Sequence, residues 1–200
     1  MARSYKMRKR AEDRDRTRER IIQATMRVHD EKGVAPATFS EIAERAGVGV
    51  ATVTRNFPTL SDLVRACGAH VWQEMRPPVP VAAAAVIAGI DSTPERLRRL
   101  VGELDGFYAR GALRLALASR DRELVPELDQ FLGAVEAGVA ALVGEALRPA
   151  GLSDRALAVA NAMMSFPVWA AFDRLGIPAA EFAELRVNLL ECVLRSADKG

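Results

Sequence analysis

A short run of side chains between residues 50 and 56 has the chemistry needed to contact a nucleic acid. Arg55 can pair with O6 and N7 of a guanine, and Asn56 can read an adenine or hold a phosphate. Thr52 can contact the methyl group of a thymine. For Arg55, the alternative to a base contact is that it is an ordinary surface arginine exposed to solvent. The candidate contacts on this run are Val50, Ala51, Thr52, Thr54, Arg55 and Asn56.

These side chains need a helix that presents them, and the segment Thr38–Leu63 predicts one. It reads as a short helix, a glycine turn, a second short helix and the capped start of a third, which is the layout of a helix-turn-helix. In the turn Ala46–Val48, Gly47 is expected to adopt a left-handed backbone. Val53 and Phe57 anchor the second helix from beneath. The segment therefore predicts a helix that enters the major groove of DNA.

Two further groups of residues are candidates for contact with phosphates. Thr38 and Ser40 stand where the first short helix is predicted to begin, and donors at a helix start can bind phosphate. Arg8 and Arg10 belong to residues 1–11, which are predicted to form a flexible basic arm that tracks phosphates or enters the minor groove. A solvated tail is the alternative for the arm.

The charge of the chain is unevenly distributed. The formal net charge is +2, but residues 1–65 hold 14 Lys and Arg against 9 Asp and Glu, whereas residues 66–200 hold 14 against 17. The positive part carries the helix-turn-helix. This asymmetry is expected when one end of a protein meets phosphates and the other does not.

The sequence gives little support for an enzyme. It has no Gly-rich phosphate loop, nucleophile elbow or HExxH motif, and its histidines are His29 and His70. Cys67 and Cys192 match no metal-ligand spacing, so both are expected to be buried and inert, with a redox switch as the lesser alternative. We expect no metal and no cofactor. Without an uncharged apolar run of about 18 residues, we expect no membrane-spanning helix and a cytoplasmic protein.

The stretch AGVGVATVTRNFPTLSDL, with EIAER directly before it, resembles the signature of the TetR (tetracycline-repressor) family. The resemblance implies a helix-turn-helix DNA-binding domain at residues 12–60 and a helical effector-binding and dimerisation domain at residues 61–200. It also implies a homodimeric repressor that leaves a palindromic double-stranded DNA operator when a small molecule binds. The alternative is an architectural or global DNA-binding regulator that has the same helix-turn-helix domain but senses no small molecule.

The recognition helix departs from the pattern that the resemblance implies. Gly49 stands where the family commonly has a capping Ser or Thr, and Thr54 stands where an aromatic residue touches phosphate. Asn56 replaces a common His or Tyr, and Leu60 replaces a frequent Lys. We therefore expect weak phosphate contacts from this helix, for which the basic arm can compensate.

Helical periodicity extends along almost the whole chain, so we predict an all-α protein. Ser61 and Asp62 are expected to cap the fourth helix, Gly111 to separate two helices, and Pro167 to kink the penultimate helix. The helices predicted after the helix-turn-helix span residues 61–76, 94–109, 112–120, 124–148, 153–174 and 179–197.

The last two helices carry more apolar surface than one core needs, so we expect them to pack against a second copy as a four-helix bundle. The alternative is that both faces are covered within the monomer. The resemblance also implies a pocket for an apolar or amphipathic effector, although ordinary core packing is the alternative for each residue. The candidates are Trp72, Met75, Phe107, Tyr108, Leu117, Phe131, Met163, Phe166 and Trp169, with His70, Arg110, Arg114 and Asn161 as polar partners.

Overall fold

The computed structural model describes residues 2–197, and within them it contains helices and no strands, which confirms the all-α prediction. Short 3-10 turns at Pro80–Ala82 and Arg148–Ala150 join some of the helices. The α-helices are α1 (Ala2–Lys32), α2 (Phe39–Ala46), α3 (Val50–Asn56), α4 (Leu60–Met75), α5 (Ala83–Ile87), α6 (Thr93–Asp121), α7 (Pro126–Leu147), α8 (Asp154–Met163), α9 (Phe166–Asp173) and α10 (Ala179–Ala197).

Helix α1 is longer than the sequence suggested, because it already begins at Ala2. Residues 2–11 of the expected flexible arm form its first turns, and residue 1 lies outside the described residues. The composition accounts for this, since most of residues 2–11 are Ala, Arg, Lys or Met, which all have high helix propensity. An ion pair one turn apart also stabilises these turns, with Arg8 Nε 3.1 Å from Glu12 Oε1.

The residue that caps the start of α4 differs from the sequence prediction. Thr59, and not Ser61, caps the helix: its Oγ1 accepts the Asp62 N–H at 3.1 Å, and Asp62 Oδ2 accepts the Thr59 N–H at 3.2 Å. This reciprocal pair is a capping box, in which an acidic residue at the third helical position replaces the more common Glu. The contact with Thr59 also lowers the pKa of Asp62.

Two interruptions of helices differ from the sequence prediction. Gly111 does not divide α6, and a Cβ at this position would collide with the Met75 side chain. The glycine is thus used for close packing inside a continuous helix. The predicted helix over residues 153–174 breaks at Met164 and Ser165, with α8 and α9 bent by 41°. Pro167 lies in the first turn of α9, where a missing N–H costs no helical hydrogen bond.

The chain divides into two compact units. We call Met1–Glu74 with Ala116–Asp129 the head unit, and Met75–Leu115 with Gln130–Gly200 the C-terminal unit. The division follows α4 rather than the sequence boundary at residue 60, because Leu63 and Cys67 of α4 are buried in the core of the head unit. That core also contains the fully buried Ile21 and Ile42.

The core of the C-terminal unit includes Leu104 of α6, Leu142 and Val143 of α7, and Leu190 of α10, all fully buried. Helix α7 together with its following 3-10 turn, Pro126–Ala150, is long and apolar enough to cross a membrane by length and composition alone. Almost half of its apolar window is buried inside the protein. Core helices of soluble proteins share these properties, so the helix is weak evidence for a membrane.

Candidate DNA-binding site

Helix α2 is fixed at both ends by local interactions. Thr38 Oγ1 accepts the Glu41 N–H at 3.3 Å, and Glu41 Oε2 accepts the Thr38 N–H at 3.0 Å, which forms a capping box. Gly47 ends the helix with φ 63° and ψ 42°, which confirms the expected left-handed turn. Lys32 of α1 forms an ion pair with Glu41. The hydrogen bonds from Lys32 and Thr38 lower the pKa of Glu41 to about 2.

Helix α3 is held from beneath by the completely buried Val53 and Phe57, as expected. Arg18 of α1 lies against the same place, with its Cζ 4.1 Å from the centroid of the Phe57 ring. The Nη1 of Arg18 also donates to the Asn56 carbonyl at 3.0 Å, so a cation meets the negative end of the helix. Gly49 caps the start of α3 without a side-chain hydrogen bond.

The opposite side of α3 faces solvent. Val50, Ala51 and Arg55 are exposed, whereas Thr52 and Asn56 are half-buried. Asn56 Nδ2 donates to the Thr52 carbonyl at 2.8 Å, so part of this amide is used within the helix. Thr54, which is also half-buried, donates its hydroxyl within α3 at 3.3 Å.

An open groove runs between α1 and α3. It brings the predicted Thr52, Arg55 and Asn56 together with Arg14 and Thr17 of α1 and with Asp13. The sequence analysis missed Arg14 and Thr17. Their spacing of three residues places them on one face of a helix, but a basic stretch this rich in arginine gave no reason to prefer them.

Arg8, Arg10, Thr38 and Ser40, the phosphate contacts predicted outside α3, do not line this groove. Arg8 and Arg10 are exposed in the first turns of α1, and Ser40 is exposed in the first turn of α2. The Thr38 hydroxyl donates to Glu41 Oε2 at 2.7 Å, so a phosphate would have to replace that bond.

The head matches a known family over most of its length. Residues 21–67 match the family described as bacterial regulatory proteins, tetR family. The N-terminal domain of this chain is a tetR-family domain. This match confirms the resemblance that the sequence motifs carried, and it includes α2, α3 and the first half of α4.

Solved structures are similar to this chain over most of its length. A crystal structure of an HlyIIR mutant protein, in which residues 169–186 are substituted by a linker containing two thrombin sites, has a TM-score of 0.61 at 14% identity and covers 87% of this chain and 96% of that one. The TetR-like regulator LfrR from Mycobacterium smegmatis, in complex with proflavine, has a TM-score of 0.49 at 26% identity and covers 90% and 96%. Salmonella enterica GusR has a TM-score of 0.48 at 16% identity and covers 90% and 95%.

No curated protein matches the chain significantly. The family match supports a DNA-binding regulator, and the proteins of the matched family are transcriptional regulators rather than enzymes.

In the C-terminal unit, four of the predicted effector residues form one aromatic cluster. The Tyr108 ring centroid lies 5.1 Å from that of Phe107, 5.6 Å from Phe166 and 5.7 Å from Trp169. The Tyr108 hydroxyl donates to the Met164 carbonyl at 2.8 Å, and burial raises the pKa of this phenol. The buried indole Nε1 of Trp169 has no hydrogen-bond partner among the described residues.

The other predicted effector residues lie on α4, α6, α7 and α8. Trp72 and Leu117 belong to the head unit, and both are half-buried. Met75 is buried against Gly111, while Phe131 of α7 and Met163 of α8 are half-buried. Each polar candidate has its own environment: His70 lies 3.7 Å from Glu19, Arg110 donates to the Met75 carbonyl, Arg114 is half-buried, and Asn161 donates to the Leu157 carbonyl.

The two cysteines differ from each other. Cys67 is buried as expected, and burial raises the pKa of its thiol to about 12, which keeps it protonated and unreactive. Cys192 is exposed, so the expectation of two buried thiols is wrong for this residue. Arg195 Nη2 donates to its sulfur at 3.1 Å, one turn along α10.

Proposed function

We propose that this chain is a homodimeric, cytoplasmic transcriptional repressor that binds a palindromic operator through α3 and leaves it when a small molecule binds the C-terminal unit. The observation that carries the proposal is the exposed groove in which Arg55 of α3 lies beside Arg14 of α1. The groove combines a side chain suited to reading bases with one suited to binding phosphate, which is what a specific DNA contact requires.

The proposed roles follow from the chemistry and exposure of each side chain. Arg55 is exposed and reads a guanine, and Asn56 reads an adenine or holds a phosphate. Thr52 contacts a thymine methyl group, with apolar contacts from Val50 and Ala51. The phosphate contacts come from Arg8, Arg10, Arg14, Thr38, Ser40 and Thr54.

Dimerisation is supported by the apolar surface of the last helices. Val159 of α8 is 46% exposed, and Leu157 of α8 is half-buried, as are Leu185 and Leu189 of α10. Helices α8 and α10 therefore present apolar side chains to solvent in a single chain. A second copy would cover them, and two heads would read the two halves of a palindrome.

The effector is proposed to bind in the C-terminal unit near the aromatic side chains of α6 and α9. Support comes from Phe107, Tyr108, Phe166 and Trp169, which are adjacent there. Met163, Met75, Trp72, Leu117 and Phe131 remain candidates from the sequence. Release from DNA requires only that the ligand prefer the conformation that fits the operator less well.

The test is a selection from random double-stranded DNA with the purified full-length protein, followed by binding measurements on the selected site. A short inverted repeat is expected, and Arg55→Ala should weaken binding to that repeat at least tenfold more than to random DNA at the same salt. Arg148→Ala, an exposed arginine of the C-terminal unit, serves as the matched control. Recovery of no preferred sequence would instead indicate an architectural DNA-binding protein without operator recognition.

A further inference from the structure

The C-terminal unit contains a small cavity between α6, α7 and the segment that follows α4. Its volume is about 160 Å³. Cavities of about 150 Å³ hold a ligand the size of benzene, whereas drug-sized ligands need about 300 Å³ or more. The cavity thus fits a single ring rather than a large drug. The lining residues that matter here are Arg76, Ala83, Glu103, Phe107, Arg110 and Leu142.

One side of the cavity is apolar and rigid. Phe107 and Leu142 are each 1% exposed, so both are set in the core of the unit. Ala83 of α5 is also buried. An apolar ring placed against these side chains would lose contact with water without displacing any of them.

The other side of the cavity is positively charged. Arg76 and Arg110 both line it, and Arg110 Nε donates to the Met75 carbonyl at 3.2 Å. This bond orients the guanidinium and uses only one of its five donors. The acidic Glu103 lies 3.1 Å from Arg99, which offsets its charge. Two arginines together with apolar residues in the same lining favour a planar anion, which a guanidinium can bind through two hydrogen bonds.

Arg76, which lines the cavity, has an unusual backbone conformation. Its φ of 50° is the one positive value for a non-glycine residue within the described part of the chain. Strained positions of this kind cluster at ligand sites. The next residues, Pro77 and Pro78, are pressed against α7, because a Cβ on Gly138 would overlap the Pro78 carbonyl. The chain directly after Arg76 is therefore held against α7.

We propose that the cavity binds a small monocyclic aromatic carboxylate, whose ring lies against Phe107 and Leu142 and whose carboxylate is held by Arg76 and Arg110. This inference rests on the proposed function, because it names the chemical class of the effector. Arg76 directly follows Met75, the last residue of α4, so the ligand would bind the residue immediately after this helix.

The experiment titrates the full-length protein with benzoate and, separately, with benzamide, which has the same shape but no charge. Calorimetry is expected to detect benzoate, and benzamide should bind at least tenfold more weakly. Arg76→Gly removes the cation and keeps a residue suited to positive φ, and Arg110→Gln removes the second cation. Each should weaken benzoate binding at least tenfold, whereas the exposed Arg98→Gln on the same helix should leave it unchanged. Circular dichroism checks that each variant is folded.

Equal binding of benzoate and benzamide, no benzoate binding at millimolar concentration, or unchanged binding by both arginine variants would each overturn the carboxylate assignment. The same samples are tested for binding to the selected operator with and without benzoate. A protein that binds the operator but not benzoate contradicts only this inference. A protein that binds benzoate but has no preferred DNA sequence contradicts the proposed function instead.

Discussion

The carboxylate of Asp121, the last residue of α6, accepts the backbone N–H of Val34 at 2.8 Å. The same Oδ2 atom accepts the N–H of Ala35 at 3.0 Å. Arg120 completes the contact, since its Nε donates to Asp121 Oδ1 at 2.8 Å and its Nη2 donates to the Lys32 carbonyl at 2.6 Å. The connection between α1 and α2 therefore obtains its hydrogen bonds from the end of a helix almost ninety residues later in the chain.

Removal of this carboxylate should destabilise the head. Asp121→Ala leaves two backbone N–H groups near the protein interior without an acceptor, and each such loss costs about 1–3 kcal/mol. The free energy of unfolding should fall by about 3 kcal/mol, measured by urea denaturation at pH 7. Asp129→Ala, which removes an exposed carboxylate paired with Arg122, should change it by less than about 1 kcal/mol. Equal effects of the two variants would contradict the assignment.

Gly33 should not tolerate a side chain. Its φ is 97°, and a Cβ would collide with the guanidinium of Arg120 and the carboxylate of Asp121. Gly33→Ala is expected to lower the midpoint of thermal unfolding. The matched control is Gly144→Ala in α7, where a Cβ meets nothing, and it should stabilise the protein by about 0.5–1 kcal/mol because alanine favours a helix interior.

Stability should depend on pH through His29. Burial lowers the pKa of this imidazole from 6.5 to about 4. At pH 7 the side chain is neutral in both the folded and the unfolded state. Between pH 6.5 and 4 the unfolded state binds the proton more readily. The free energy of unfolding therefore decreases by up to about 3 kcal/mol as the pH is lowered through this range.

The comparison variant for this effect is His29→Gln, which cannot titrate. Its free energy of unfolding should change less than that of the original protein between pH 7 and pH 4.5. Carboxylates with lowered pKa, such as Glu41, contribute equally to both proteins and cancel in the difference. Parallel pH profiles would show that His29 does not contribute.

Arg18 should act on DNA binding by positioning α3. Its guanidinium contacts the Phe57 ring and the Asn56 carbonyl. Arg18→Ala should lower the free energy of unfolding by about 1 kcal/mol and weaken binding to the operator without a change in the preferred sequence. The control is Arg16→Ala, an exposed neighbour in α1. A changed base preference, measured by repeated selection, would show that Arg18 itself reads a base.

The exposed apolar surface of α8 gives a test of dimerisation. Val159→Glu places a charge on the proposed interface, and burying a charge without a partner costs several kcal/mol. Light scattering coupled to size-exclusion chromatography should show a monomer. Val81→Glu makes the same change at a residue that is 94% exposed elsewhere in the C-terminal unit, and it should leave the dimer intact. A dimer in both variants would place the interface elsewhere.

The helix-turn-helix was predictable because its signals are local. Gly47, Val53 and Phe57 each perform the role that their type and spacing indicated. Gly111 was misread as a helix break, since its role depends on Met75, which is distant in sequence. The pairing of Asp121 with Val34 was unpredictable for the same reason.

In the candidate sites too, residues on one helix could be predicted together, whereas residues that meet through packing could not. Arg55, Thr52 and Asn56 were predicted on one helix and lie in one groove. Arg14 enters that groove only through the packing of α1 against the helix-turn-helix. In the C-terminal unit, side-chain type alone grouped Trp72 with Trp169, although the fold assigns them to different units.

The head unit is discontinuous, and this affects the order in which it can be completed during translation. Residues up to Glu74 emerge from the ribosome before Ala116–Asp129, which belong to the same unit. At about 5–20 residues per second, the ribosome needs several seconds to supply that missing segment. During this interval the newly made Val34 and Ala35 amides have only water as a partner. The nascent head therefore becomes fully native only after Asp121 has left the exit tunnel.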